Sequence, residues 1–109
     1  MLVWPVAPVD DQPQITLERW RVYETSRGER HFVVYCLENR EGRVSTAILS
    51  FDAGTRAGMT ASGRQYLLSG WPCFDNDAEL VWEVCSAHNG ITETKDVSAE
   101  YLAPEVAYA

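Results

Sequence analysis

The sequence has no CxxC pair, a single lysine and two histidines, and nowhere do eighteen or so apolar residues run together. Each shortage excludes something. Cys36, Cys73 and Cys85 are odd in number and unpaired in spacing, so no disulfide framework is expected and a reducing, cytoplasmic setting is favoured. Without a long apolar run, no membrane span is expected. The stretch Met1 to Gln14 lacks a basic n-region and carries Pro5, Pro8 and Pro13, so it does not read as a signal peptide. Three prolines forbid a helix and spoil a ladder, which makes this stretch an extended arm, with Trp4 and Val6 as candidates to pin it to the body.

What is present suffices for one folded domain. Hydrophobic residues make up 46% of 109 positions and aromatics 11%, enough for a real core and too much for disorder. A single α+β domain over residues 15–109 is expected. The net charge of −7 is unevenly placed. From Met1 to Arg64, eight arginines meet eight acids; from Gln65 onward, eight acids meet Lys95 alone. The whole imbalance belongs to the C-terminal part. An acidic field repels nucleic-acid backbones and steers basic partners, and it also keeps a helical surface solvated.

The local texture predicts a four-stranded antiparallel meander sheet followed by one amphipathic helix packed on it and a short C-terminal helix. Predicted strands cover Ile15–Thr25, His31–Glu38, Arg43–Phe51 and Gln65–Ser69. The first two are joined at Ser26-Arg27-Gly28-Glu29, where glycine can take positive φ, and the next two at Asn39-Arg40-Glu41-Gly42, where glycine suits a G1 bulge. Gly54 and Gly58 read as a loop, and Thr60-Ala61-Ser62-Gly63 as a turn into the last strand. Short connections make a meander the simplest topology. Asn76 is the expected N-cap, with Glu79 as its capping-box partner and Asp75 and Asp77 near the positive helix end. The helix is expected to end near His88, before Asn89-Gly90. Ala78, Leu80, Val81, Trp82, Val84, Cys85 and His88 fill one broad arc, opposite Glu79, Glu83 and Ser86. A second helix from Ser98 to about Ala103 would stop at Pro104.

Candidate chemistry is sparse. Cys85 and His88 stand at i and i+3, so they share a helix face, and Cys73 or Cys36 would complete a Cys₃His set. Both lie within the apolar arc, where a thiol and a histidine are ordinary core residues. A nucleophilic pair would draw on these cysteines with His31 or His88, but no strand–nucleophile–helix elbow surrounds Ser62-Gly63-Arg64. His31, beside Arg30 and Glu29, reads as a sheet edge or surface position. Gly54-Thr55-Arg56-Ala57-Gly58 has the glycines and arginine of an anion cradle, yet lacks the spacing and following helix of a P-loop or dinucleotide fingerprint. Arg19 and Arg21 alternate onto one strand face with Tyr23, as on a nucleic-acid-binding sheet, but Glu18, Glu24 and Glu29 neutralise the patch and favour cross-strand ion pairs. No catalytic centre, metal site or cofactor is nominated.

Three stretches carry a resemblance: Arg43-Val44-Ser45-Thr46-Ala47-Ile48, the run from Thr60 to Leu68, and Asp77-Ala78-Glu79-Leu80-Val81-Trp82. Together they resemble small uncharacterised proteins carried on phages, plasmids and integrated elements of proteobacteria, over roughly Leu17 to Val97. Such proteins more often have glycine at the place of Cys73 and an aromatic at that of Cys85, which implies that a zinc site on these thiols is not a family property. A mobile-element origin implies a small acidic protein that blocks a host nucleoprotein, as many anti-CRISPR proteins do. The functional expectation is therefore a non-enzymatic inhibitor whose acidic helical half meets a basic protein or nucleoprotein, with no direct nucleic-acid or membrane contact. Asp75, Asp77, Glu79 and Glu83 would supply charge, and Trp71 and Phe74 the desolvated anchor. An immunity protein or antitoxin against a basic nuclease is the neighbouring alternative, and a small metal-dependent enzyme on Cys73, Cys85 and His88 a third. An exposed strand edge would also permit a homodimer.

Overall fold

The computed structural model describes residues 13–36 and 40–102. The expected arm falls largely outside them, as do Trp4 and Val6, but Gln14 already belongs to a strand. The alternation read between Ile15 and Thr25 changes phase midway. Ile15 and Leu17 are buried at odd positions, Trp20 and Val22 at even ones. A single strand cannot turn both sets to one core, because its side chains alternate with period two. The chain breaks at exposed Glu18 into β1 (Gln14–Leu17) and β2 (Arg19–Thr25). The turn after β2 has Gly28 at φ +82° and leads to β3 (Arg30–Cys36).

The predicted third strand is also divided. β4 (Glu41–Val44) pairs with β3, whereas β5 (Ile48–Asp52) belongs elsewhere. Ser45 makes the break: its N–H donates to the Phe32 carbonyl and its hydroxyl accepts from the Phe32 N–H, both at 2.9 Å. The stretch read as a loop around Gly54 and Gly58 is a hairpin from β5 into β6 (Ala57–Thr60), followed by β7 (Gln65–Leu68). Gly58 serves close approach rather than flexibility, since a Cβ there would lie 2.5 Å from the Phe32 ring. The positive φ of the β3–β4 connection belongs to Arg40, not to Gly42.

The single meander is therefore replaced by two four-stranded sheets. One has the order β4-β3-β2-β8, where β8 is Thr94–Asp96; the other has the order β1-β7-β6-β5. Each holds three consecutive antiparallel strands and recruits its fourth from far away, β8 antiparallel to β2 and β1 parallel to β7. Ile15, Leu17, Trp20, Val22, Phe32, Val34, Cys36, Tyr66 and Leu68 form the core between the sheets. Val97 and Tyr101, from a 3₁₀ turn at Ser98–Tyr101 and the residue before it, close this core where a short helix was expected.

The opposite face of the β2–β3–β4 sheet is covered by α1 (Asn76–His88), through a second core of Tyr23, Val33, Val44, Ala78, Val81, Trp82 and Cys85. The β2–β3–β4 sheet is thus the middle layer, buried on both faces. Gly42 lets the start of α1 rest on β4: a Cβ there would stand 2.4 Å from the Asp77 carbonyl oxygen. No helix among the described residues is long and apolar enough to cross a membrane.

Candidate functional site

The start of α1 is fixed by charge. Asp75, not Asn76, is the N-cap; its carboxylate accepts from the Ala78 N–H at 3.0 Å and pairs with Arg19 at 3.3 Å. Freed from a capping box, Glu79 instead accepts from the Tyr23 hydroxyl, at 2.8 and 2.9 Å to its two oxygens. Burial pushes the Tyr23 hydroxyl up, and the neighbouring carboxylate adds to the shift, to a pKa of about 12. Arg21 pairs with Asp96 at 3.1 Å and lies 5.6 Å from the centre of the Phe74 ring.

These contacts dispose of the arginine stripe on β2. It does face one side together with Tyr23, as its alternation implies, but the capped start of α1 on that side and the edge strand β8 beside β2 supply its counter-charges. Arg21 meets Asp96 across the β2–β8 pair, a cross-strand ion pair of the expected kind, whereas Arg19 pairs with Asp75 at the helix cap. Glu24 pairs with Arg30 at 2.9 Å, and Arg30 also meets Glu100 at 3.0 Å. The neutral and acidic halves of the sequence are thereby stitched together, and Asp75, Glu79, Asp96 and Glu100 are engaged within the fold.

The six residues assigned from sequence to a partner surface therefore divide. Asp75 and Glu79 are half-buried and held by internal bonds. Asp77 and Glu83 are exposed, with no side-chain ion pair among the described residues. Trp71 and Phe74 are 60% and 55% exposed in the loop leading into the helix. Three residues placed in the buried arc lie instead on the open face: Leu80 is 55% and Val84 40% exposed, and His88 is exposed as well. At 100° per residue the buried set Ala78, Val81, Trp82 and Cys85 spans about 100°, which is what one sheet covers. Leu80 and Val84 fall outside that arc, one turn apart, with Glu83 on one side and Asp77 on the other. The breadth of the apolar arc was the available signal.

The other candidates are dispersed. Cys36 lies between the sheets, Cys85 under the helix on the opposite face of the middle sheet, and Cys73 and His88 are exposed. Among the described residues no group of three or more His, Cys, Asp or Glu side chains could hold a metal ion. His31 is not an edge position: it sits half-buried on β3 beneath the helix, its ring 5.8 Å from that of Trp82. Ser62 belongs to a tight turn in which the Thr60 hydroxyl donates to the Arg64 carbonyl at 2.9 Å and Gly63 takes φ +91°. In the proposed anion cradle the Asp52 carboxylate already accepts from the N–H groups of Gly54 and Thr55, at 2.8 and 3.2 Å. Arg56 turns away, donating to the Gly70 carbonyl at 2.9 Å and lying over the Trp20 ring. A phosphate there would face an aspartate.

No family model matches the chain, and no curated protein and no solved structure matches it. At α1 and its preceding loop, exposed apolar side chains stand beside the exposed acids Asp77 and Glu83.

Proposed function

We propose that this chain is a non-enzymatic protein-binding domain that meets a basic protein or nucleoprotein through the outer face of α1 and the loop before it. The observation that carries this reading is the exposed Leu80–Val84 pair, set on a capped helix between Asp77 and Glu83. Scattered surface leucines are ordinary, but two large apolar side chains one turn apart between two exposed acids make the apolar centre and charged rim of a recognition patch, and Trp71 and Phe74 are exposed in the loop that leads into the same helix. The acids steer encounter; the apolar centre holds the complex once water is expelled. The partner is basic because the exposed acids around the patch have no counter-charge within the described fold. The resemblance to mobile-element proteins makes an inhibitor of a host defence nucleoprotein, in the manner of anti-CRISPR proteins, the form of this role to test first.

The test uses charge reversal at the residues the fold does not need. The double variant Asp77→Lys, Glu83→Lys should slow association with a basic partner by roughly tenfold at low salt and flatten its salt dependence. Unchanged association kinetics would remove the acidic helix from the reading.

A further inference from the structure

Beneath the C-terminal half of α1, on the helix-facing side of the middle sheet, lies a partly open cavity of about 220 Å³. It is separate from the outward Leu80–Val84 face. One wall is the Trp82 ring, tilted at 45° to the His31 ring; Val44, Cys85 and Ile91 supply further apolar wall. The volume is below the roughly 300–1,000 Å³ of sites for drug-sized ligands. A single ring system fits it; a dinucleotide does not.

His31 gives the cavity polarity. Its Nδ1 lies 2.9 Å from the Ser45 carbonyl oxygen, which can only accept, so Nδ1 carries a proton. In the neutral ring Nε2 is then an acceptor, and no hydrogen bond to it occurs among the described residues. Carbonyl anchoring fixes both tautomer and ring orientation. The exposed Arg27 and Glu29 stand at the rim with opposite charges. An apolar cavity walled by two adjoining aromatic rings, with one fixed acceptor in its lining, selects a flat apolar molecule that carries a hydrogen-bond donor.

We infer that this cavity is a binding site for a small planar aromatic molecule bearing a ring N–H or O–H group, which lies against Trp82 and donates to Nε2 of His31. The inference stands apart from the protein-binding reading, because neither Leu80 nor Val84 lines the cavity.

Titrations with indole, phenol and toluene, followed by two-dimensional NMR and calorimetry, test it. Indole and phenol should bind saturably at millimolar or lower concentration and shift amides of His31, Val44 and Ile91. Toluene, which has the ring without the donor, should bind roughly fivefold more weakly than phenol. His31→Phe should abolish that preference. Ala61→Phe, a change at an exposed cavity-lining position, should fill the mouth and weaken all three ligands while the unfolding midpoint holds. Absence of saturable binding, shifts mapping away from the cavity, or equal affinity for phenol and toluene would each overturn the inference. If Ala61→Phe fails to fold, the phenol–toluene comparison in wild type and His31→Phe still decides it.

Discussion

Replacing Gly42 by alanine should loosen the whole acidic face, because the start of α1 rests on the bare backbone of β4. The new Cβ would lie 2.4 Å from the Asp77 carbonyl oxygen, 2.5 Å from its carbon and 2.6 Å from the Ala78 nitrogen. Comfortable contact needs about 3.5 Å, so the helix start must retreat by about 1 Å. All three atoms are backbone, and no rotamer change can absorb the clash. Overpacking of this kind costs about 1–3 kcal/mol, and retreat also strains the Asp75 cap and its Arg19 bridge. Alanine recovers about 0.4–1 kcal/mol by restricting the unfolded chain. The net expectation is a loss of about 1–2 kcal/mol. With a urea slope of about 1–3 kcal/mol/M, the unfolding midpoint should fall by about 1 M. Equilibrium urea unfolding followed by circular dichroism measures it. A midpoint equal to or above wild type would show that α1 does not sit on β4 as described.

Other outcomes follow from the same contacts. Asp75→Ala should cost about 0.5–2 kcal/mol through the lost cap, whereas Asp77→Ala should stay within about 0.5 kcal/mol; paired urea curves compare them. Trp20→Ala, at a fully buried site between the sheets whose indole N–H donates to the Ser69 carbonyl at 3.2 Å, should cost about 3–5 kcal/mol in the same measurement. Tyr23 makes the fold sensitive to alkali. Its folded pKa is raised to about 12 from 10.0, so above pH 10 the unfolded chain releases this proton first and stability falls as pH rises towards 12. The loss should reach roughly 2–3 kcal/mol, and Tyr23→Phe should flatten that limb in urea titrations between pH 9 and about pH 12.

The sequence makes the elements more legible than their arrangement. Strand content and the helix end at His88 follow from alternation, turn residues and the Asn89-Gly90 signal, all local properties. The first break was also legible, since Ile15 and Leu17 are out of phase with Trp20 and Val22. The second was not: the Ser45 hydroxyl stops the ladder only because Phe32 is there to donate to it. β8 carries no pattern, because all three of its residues are exposed and polar. The parallel pairing of β1 with β7 joins residues some fifty positions apart and is set by the shared core, not by either strand. For the candidate surface, residue type identified the loop aromatics and the acids. It did not separate acids that hold the fold from acids free to meet a partner, since that depends on Arg19 and Tyr23 arriving beneath the helix.

Affinity capture from a lysate of the source cell, with wild type beside the double variant Leu80→Ser, Val84→Ser, tests the central claim most directly. Both changes lie on exposed positions, so the variant should unfold within about 0.5 kcal/mol of wild type. A basic protein or nucleoprotein held by wild type, lost from the variant and released by raised salt is the predicted result. The same proteins held equally by both, or no basic protein held by wild type, would contradict a binding role for the outer face of α1.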